Sequence, residues 1–285
     1  KPYFFHGLLD QGYWQEGIFT PKSPDAYERD ILFAKRLGFN MLRKHIKIEP
    51  QLFYYACDKL GMVVFQDMVN NGSYSFLRDT ALPTIGLRYL PDGWLHRNKR
   101  SRAAFEKAME ETVAALKHHP CICYWTIFNE GWGQFEGTRM YRRLKALDDS
   151  RVIDTASGWF SGVASDVDSR HVYFRKLRLK AGKKPLVLSE FGGYSYKVEG
   201  HVFNPNKEYG YGKCVSREEF VQKLRKLYLE EVVPLQAQGL CAAVYTQISD
   251  VEDEINGLIT YDRQVEKIMP EEFADIGRLM TDAPS

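Results

Sequence analysis

Short apolar runs alternate along the chain with longer stretches in which apolar residues return every three or four positions. Residues 3–8, 41–43, 63–66, 122–128, 152–156, 171–174, 186–189 and 242–246 have the length and composition of strands. Val63-Val64-Phe65 and Leu186-Val187-Leu188 are unbroken apolar triplets, the pattern of strands covered on both faces. The intervening stretches carry helix signals. Ser23-Pro24 predicts an N-cap followed by Pro at the first helical position; Tyr27, Ile31, Ala34 and Leu37 then share a face, and Gly38 closes the segment. Ser101 opens a second helix with Phe105, Met109, Thr112, Val113 and Leu116 on one side. Ser216-Arg217-Glu218-Glu219 is a capping box ahead of Phe220, Leu224, Leu227 and Tyr228.

Strand followed by helix, repeated, predicts an α/β fold with a parallel sheet. About eight strands predict a closed (β/α)8 TIM barrel, a single domain over residues 1–285. No glycine-rich dinucleotide fingerprint follows the first strand, which disfavours a doubly wound sheet. The long non-periodic segments 9–22, 68–100, 191–215 and 248–259 each follow a strand, where a barrel builds its active site. They hold Tyr13, Trp14, Phe19, Tyr74, Phe76, Tyr89, Trp94, Tyr194, Tyr196, Phe203, Tyr209 and Tyr211. Half of these are expected to pack the loops onto the rim and half to line a cleft.

Composition narrows the function classes. The 285 residues exceed the roughly 250 a barrel domain needs. Net charge is +2 with no basic stripe, which argues against a nucleic-acid partner. No apolar run approaches the roughly 20 residues of a membrane span, so no membrane partner is expected. The five cysteines are odd in number and scattered. His118-His119-Pro120-Cys121-Ile122-Cys123 imitates a metal cluster, but one residue between the cysteines is too few for zinc, and they read as buried thiols. The chain opens Lys1-Pro2-Tyr3 with neither initiator Met nor leader pattern, and reads as a fragment of a longer multidomain chain whose compartment is not visible.

Two segments carry chemistry. Tyr124-Trp125-Thr126-Ile127-Phe128-Asn129-Glu130-Gly131 and Leu186-Val187-Leu188-Ser189-Glu190-Phe191-Gly192 each run from an apolar strand into a glutamate and a glycine turn. In a barrel both acids face the C-terminal mouth. Glycoside hydrolysis needs two carboxyl groups flanking the scissile bond, one protonated and one ionised. Asn129 is placed to hold a sugar hydroxyl. Each glutamate alone reads first as an acid that caps a helix or pairs with Lys, and only the pair brings the catalytic and scaffold readings level.

The chain resembles the barrel domain of glycoside hydrolase family 2, which includes β-galactosidases, β-glucuronidases and β-mannosidases. His119-Pro120, Trp125 and Asn129-Glu130 resemble its acid/base strand; Ser189-Glu190-Phe191-Gly192 resembles its nucleophile strand. Phe39-Asn40-Met41-Leu42-Arg43-Lys44-His45, His171-Val172-Tyr173 and Gly257-Leu258-Ile259-Thr260-Tyr261-Asp262-Arg263 match further segments. The resemblance implies Glu130 as general acid/base, Glu190 as nucleophile, Arg43 as the cation that keeps Glu190 ionised, and Tyr173 as its hydrogen-bond donor. His6 and His45 lie near strand ends, within reach of substrate or as scaffold. Asp67 is placed to orient Arg43 or a sugar hydroxyl, and Trp159 is a sugar platform or simple packing. The resemblance also implies β-sandwich domains elsewhere in the parent chain and a possible homo-oligomer.

The pattern departs in two places. Many members end the eighth strand with Trp, where this chain has Tyr245-Thr246-Gln247. Glucuronidase-like members carry Asn-x-Lys where this chain has Glu254-Ile255-Asn256, so a cation for a uronate is missing there. The acidic and His ligands of the metal-dependent members have no counterpart after Asp67, so neither a metal nor another cofactor is expected. The leading expectation is a retaining, β-galactosidase-like exo-glycosidase acting on a carbohydrate substrate. The alternatives are a β-mannosidase- or β-glucuronidase-type member, a carbohydrate-binding barrel without catalysis, and an unrelated barrel enzyme using the same acids.

Overall fold

A computed structural model describes residues 3–70, 72, 75, 77 and 92–282. Eight parallel strands form one sheet: β1 (Phe5–Asp10), β2 (Met41–Lys44), β3 (Val63–Asp67), β4 (Ile122–Asn129), β5 (Val152–Ser157), β6 (Asp168–Val172), β7 (Leu186–Phe191) and β10 (Leu240–Tyr245). Their order, β5-β4-β3-β2-β1-β10-β7-β6, is that of a (β/α)8 barrel opened between β5 and β6. One backbone bond, from Asp166 N to the Ile153 carbonyl at 2.9 Å, and several side chains close that joint. Asp166 Oδ2 accepts from Ile153 N at 2.9 Å, Ser165 Oγ from Thr155 N at 3.2 Å, and Ser169 Oγ donates to Asp154 Oδ1 at 2.9 Å.

The helices are α1 (Asp25–Arg36), α2 (Gln51–Leu60), α3 (Lys99–Leu116), α4 (Gly137–Leu147), α5 (Arg217–Leu227), α6 (Val233–Gln236) and α7 (Pro270–Thr281). A π-helical turn at Tyr228–Val232 joins α5 to α6. Residues 158–167 and 173–185, which follow β5 and β6, contain no helix. Among the described residues no helix is long and apolar enough to cross a membrane.

Several expectations shift. The first strand begins at Phe5 and runs to Asp10 instead of ending at residue 8, and the sixth ends at Val172, leaving Tyr173 and Phe174 in the loop. The hydroxyl of Ser23 engages Asp25 and caps nothing. Asn98, not Ser101, caps α3, because its Oδ1 accepts from Arg100 N at 3.0 Å and Ser101 N at 3.2 Å. Half of the expected capping box of α5 forms: Ser216 Oγ accepts from Glu219 N, whereas the Glu219 carboxylate reaches past the N-cap to Val215 N. The segment 191–215 is not all loop: β8 (Tyr194–Tyr196) and β9 (Gly212–Cys214) pair in parallel within it.

Strand alternation sorts the core into two layers. Leu9, Met41, Phe65, Tyr124, Val187, Ala242 and Val244 fill the barrel interior, with Phe65 and Tyr124 stacked at 4.0 Å. Leu8, Leu42, Val64, Leu188 and Ala243 face outward and pack with the apolar faces of the helices. Both faces are therefore dry, which is why these strands read as continuous apolar runs. The same alternation turns Arg43, two residues after inward-facing Met41, into the barrel.

Candidate active site

Arg43 is 1% exposed, and each of its five N–H groups has an acceptor. Nε and Nη2 grip both oxygens of Asp67 at 3.0 and 2.9 Å. Nη2 also donates to Asn129 Oδ1 at 2.8 Å, and Nη1 to the Ser189 carbonyl and to Glu190 Oε1, both at 3.0 Å. One guanidinium thus ties together the ends of β2, β3, β4 and β7. Burial works to raise the Asp67 carboxyl, but Arg43 and then His45 outweigh it and hold it at about 2.

Glu190 closes β7. Its Oε2 accepts from the Tyr173 hydroxyl at 2.7 Å, and that oxygen in turn lies 2.9 Å from Thr246 Oγ1. Tyr211 stacks on the Tyr173 ring at 3.7 Å and fixes its plane. Glu130 follows β4 in the left-handed region, at φ 51°. Such a conformation costs a non-glycine residue of order 1–3 kcal/mol, and here it turns the carboxyl into the mouth. Gly131 continues the turn at φ 73°, and a Cβ there would lie 2.2 Å from the Phe160 ring, so only glycine fits.

His171 sits between the two acids. A register irregularity between Arg170 and His171 sets it opposite Glu190 on β7. Nδ1 lies 3.0 Å from Glu130 Oε1 and 3.4 Å from Glu190 Oε2; Nε2 lies 3.0 Å from Ser157 Oγ and 3.4 Å from Arg43 Nη1. Arg43 can only donate, so the network assigns the ring proton to Nδ1. Burial drives His171 down to about 4, against the opposing pull of Glu190, and keeps it neutral. Burial raises Glu130, with His45 and Arg43 opposing. Ligand atoms of Glu130, His171 and Glu190 lie within 4.8 Å of one another, the one such cluster among the described residues. Both oxygens of Glu190 are already engaged, by the Arg43 cation and by Tyr173, so the set suits proton sharing better than a metal ion.

These groups open into a cleft of about 410 Å³, within the size range of small-molecule sites. Asn129, Glu130, Glu190, His45 and Tyr173 line it. Arg43 and Asp67 lie directly beneath, Asp67 orienting both Arg43 and His45, whose Nδ1 is 3.2 Å from Asp67 Oδ2. His6 does not reach the cleft. It faces outward against Phe39, Tyr228 and Phe273, bonds the Gly38 carbonyl, and burial lowers it to about 3. Trp159 is half-buried and is not among the cleft-lining side chains. Of the loop aromatics expected at the cleft, Tyr211 lines it among the described residues. Trp14 is buried against Tyr27, Phe19 and Trp94 are exposed, and Tyr74, Phe76 and Tyr89 lie outside the described residues. Trp132, Gln11, Thr246 and Glu254 line the cleft without having been singled out as site residues. Away from the cleft, Cys121 is buried and its amide is held by Asp58, which also holds His119.

A family model described as glycosyl hydrolases family 2, TIM barrel domain, matches residues 22–272. A β-galactosidase of Aeromonas hydrophila is 32% identical over 147 residues, which are 51% of this chain and 13% of that protein. A β-galactosidase of Yersinia pestis is 26% identical over 140 residues, 49% of this chain and 12% of that protein. Among solved structures, a β-galacturonidase from Eisenbergiella tayi bound to galacturonate superposes at a TM-score of 0.71 with 16% identity, over 98% of this chain and 51% of that one. A β-D-glucuronidase from Dictyoglomus thermophilum also reaches 0.71, at 15% identity, over 100% of this chain and 51% of that one.

Proposed function

Because the chain belongs to glycosyl hydrolase family 2, we propose that it is a retaining β-glycosidase in which Glu130 is the acid/base and Glu190 the nucleophile. The proximity of the two acids carries this reading. One oxygen of each lies within 4.8 Å of the other's, nearer the roughly 5–5.5 Å carboxyl separation of retaining enzymes than the roughly 6.5–9.5 Å of inverting ones.

In the first step, protonated Glu130 gives its proton to the glycosidic oxygen while a Glu190 oxygen bonds the anomeric carbon and the aglycone leaves. Glu130, now ionised, takes a proton from water, whose oxygen displaces Glu190 and releases the sugar with its configuration kept. Burial of Glu130 favours its protonated form, and the Arg43 guanidinium lies 3.0 Å from Glu190 Oε1. Neutral His171 keeps the two acids apart in role without adding a charge.

Galactosidases, glucuronidases and galacturonidases all stand among the similar proteins, so the galactoside expectation does not stand out from its alternatives in the family. The reading at this level is a β-glycoside hydrolase. A 2-deoxy-2-fluoro-β-glycoside with a good leaving group should attach to Glu190, and peptide mapping of the adduct tests this. A chain that binds such sugars and never forms the adduct is a carbohydrate-binding barrel instead.

A further inference from the structure

The wall of the cleft opposite the two acids carries a third carboxyl. Glu254 lies between β10 and α7, with Gln11 after β1 and Gln247 after β10 beside it. Gln11 Nε2 donates to Gln247 Oε1 at 2.9 Å and to Glu254 Oε2 at 2.8 Å. Gln247 Nε2 donates to Asn256 Oδ1 at 2.9 Å and to Glu254 Oε2 at 3.3 Å. Both amide groups spend both protons on holding this wall, and Oε2 of Glu254 receives one from each. Among the described residues, Oε1 has no partner and Glu254 has no ion pair.

The loop that presents Glu254 is itself anchored. Lys267 is buried and donates to Asp250 Oδ1 at 2.7 Å and to the Ile255 carbonyl at 2.9 Å, while Asp250 accepts from Gly257 N at 2.8 Å. A Cβ on Gly257 would lie 2.2 Å from the Asp250 nitrogen, so the strands of this loop touch backbone to backbone. The carboxylate therefore meets a ligand in one orientation, without reorganisation.

The cations near the cleft are committed. Lys47 lines it, but its three protons go to the carbonyls of Gly12 and Phe19, both at 2.6 Å, and to Glu49 at 2.8 Å. Arg43 has no N–H left over. A sugar in this cleft meets Glu130, Glu190 and Glu254, with no uncommitted Lys or Arg among the described residues that line it.

Resting on the glycosidase reading, we infer that Glu254 is the glycone-selecting residue: its outward oxygen accepts a hydrogen bond from a hydroxyl of a neutral sugar and repels a glycone that bears a carboxylate. The proposed substrate class is therefore neutral β-glycosides, in contrast to the uronides named for the solved structures with this barrel.

The test compares kcat/KM for neutral aryl β-hexosides and for aryl β-uronides in the full chain and in Glu254→Gln and Glu254→Ala. The first variant is isosteric and keeps the hydrogen-bonded wall. The parent chain should favour the neutral series by at least about 100-fold, since like charges placed face to face in a partly buried site oppose binding strongly. Glu254→Gln should narrow that ratio at least tenfold, because removing the negative charge relieves the uronides more than the altered hydrogen bond costs the neutral substrates. Glu254→Ala should raise KM for neutral substrates more than it lowers kcat. A ratio unchanged in both variants, or a parent chain that prefers uronides, overturns the inference. Labelling of Glu190 by a fluoroglycoside is read in parallel. Labelling together with an unchanged ratio sinks the role of Glu254 alone, whereas absence of labelling by both neutral and uronide reagents sinks the glycosidase reading beneath it.

Discussion

Nδ1 of His171 lies 3.0 Å from Oε1 of Glu130. The imidazole is buried and held at about 4, well under its ordinary value of 6.5. A lowered folded-state value means that the unfolded chain binds more protons between those two limits. Stability is complete above about pH 6.5 and falls as pH drops toward 4. His6, held at about 3 among Phe39, Tyr228 and Phe273, has the same sign. Each contributes on the order of 3 kcal/mol to the acid loss. Urea midpoints at pH 7 and pH 4.5 should separate widely in the parent chain, and less so in His6→Phe and in His171→Asn. An equal separation in all three proteins contradicts the assignment.

Glu130 must be protonated to act as an acid, and burial raises its pKa. Activity should persist above the ordinary carboxylate range and then fall as pH rises through the raised value. Glu130→Ala should slow substrates with poor leaving groups by roughly 10²–10⁴-fold, and dinitrophenyl glycosides far less. Its pH profile should lose the alkaline limb. A variant that keeps the limb would assign the acid elsewhere.

Glu190→Gln should lower kcat by more than about 10⁴-fold. Tyr173→Phe removes the one hydroxyl on Glu190 Oε2 and leaves the ring on Tyr211. It should cost about 10²-fold in kcat with little change in the urea midpoint. A large loss of stability with unchanged kcat would make Tyr173 a packing residue.

Arg43 and Asp67 form a buried bidentate pair. Arg43→Met strands Asp67 and Glu190 without their cation and should destabilise by about 3–5 kcal/mol. Pairing it with Asp67→Leu should recover part of that loss, giving a coupling energy of at least about 1 kcal/mol in a double-mutant cycle. Strict additivity in denaturant unfolding would deny the pair.

The barrel was readable because eight strands covered on both faces leave uninterrupted apolar runs. Glu130 and Glu190 were readable because each interrupts such a run within two residues of a glycine. Helices α2 and α4 were not. α4 buries only Gly137, Met140 and Leu144, and its ties to α3 run from Arg139 and Arg143 to Glu106, pairs that no local spacing reveals. His171 was invisible as a site residue because its place depends on a register irregularity between two strands. Glu254 reaches the cleft only because its loop folds back on Asp250. His6 was the opposite case: it shares the parity of Leu8, which faces the helices, so alternation within β1 already excluded it.

The barrel sheet has hydrogen-bonded ladders at seven joints and, at the eighth, between β5 and β6, a single backbone bond from Asp166 N to the Ile153 carbonyl with a side-chain clasp around it. A ladder opens only when both strands separate, but a clasp of Asp166, Ser165 and Ser169 can release one side chain at a time. The amides of Ile153 and Thr155, bonded to side chains instead of to a neighbouring strand, should exchange with solvent sooner than those in the seven ladders. His171 rides on β6, one edge of that joint, so opening there would loosen the imidazole that touches Glu130.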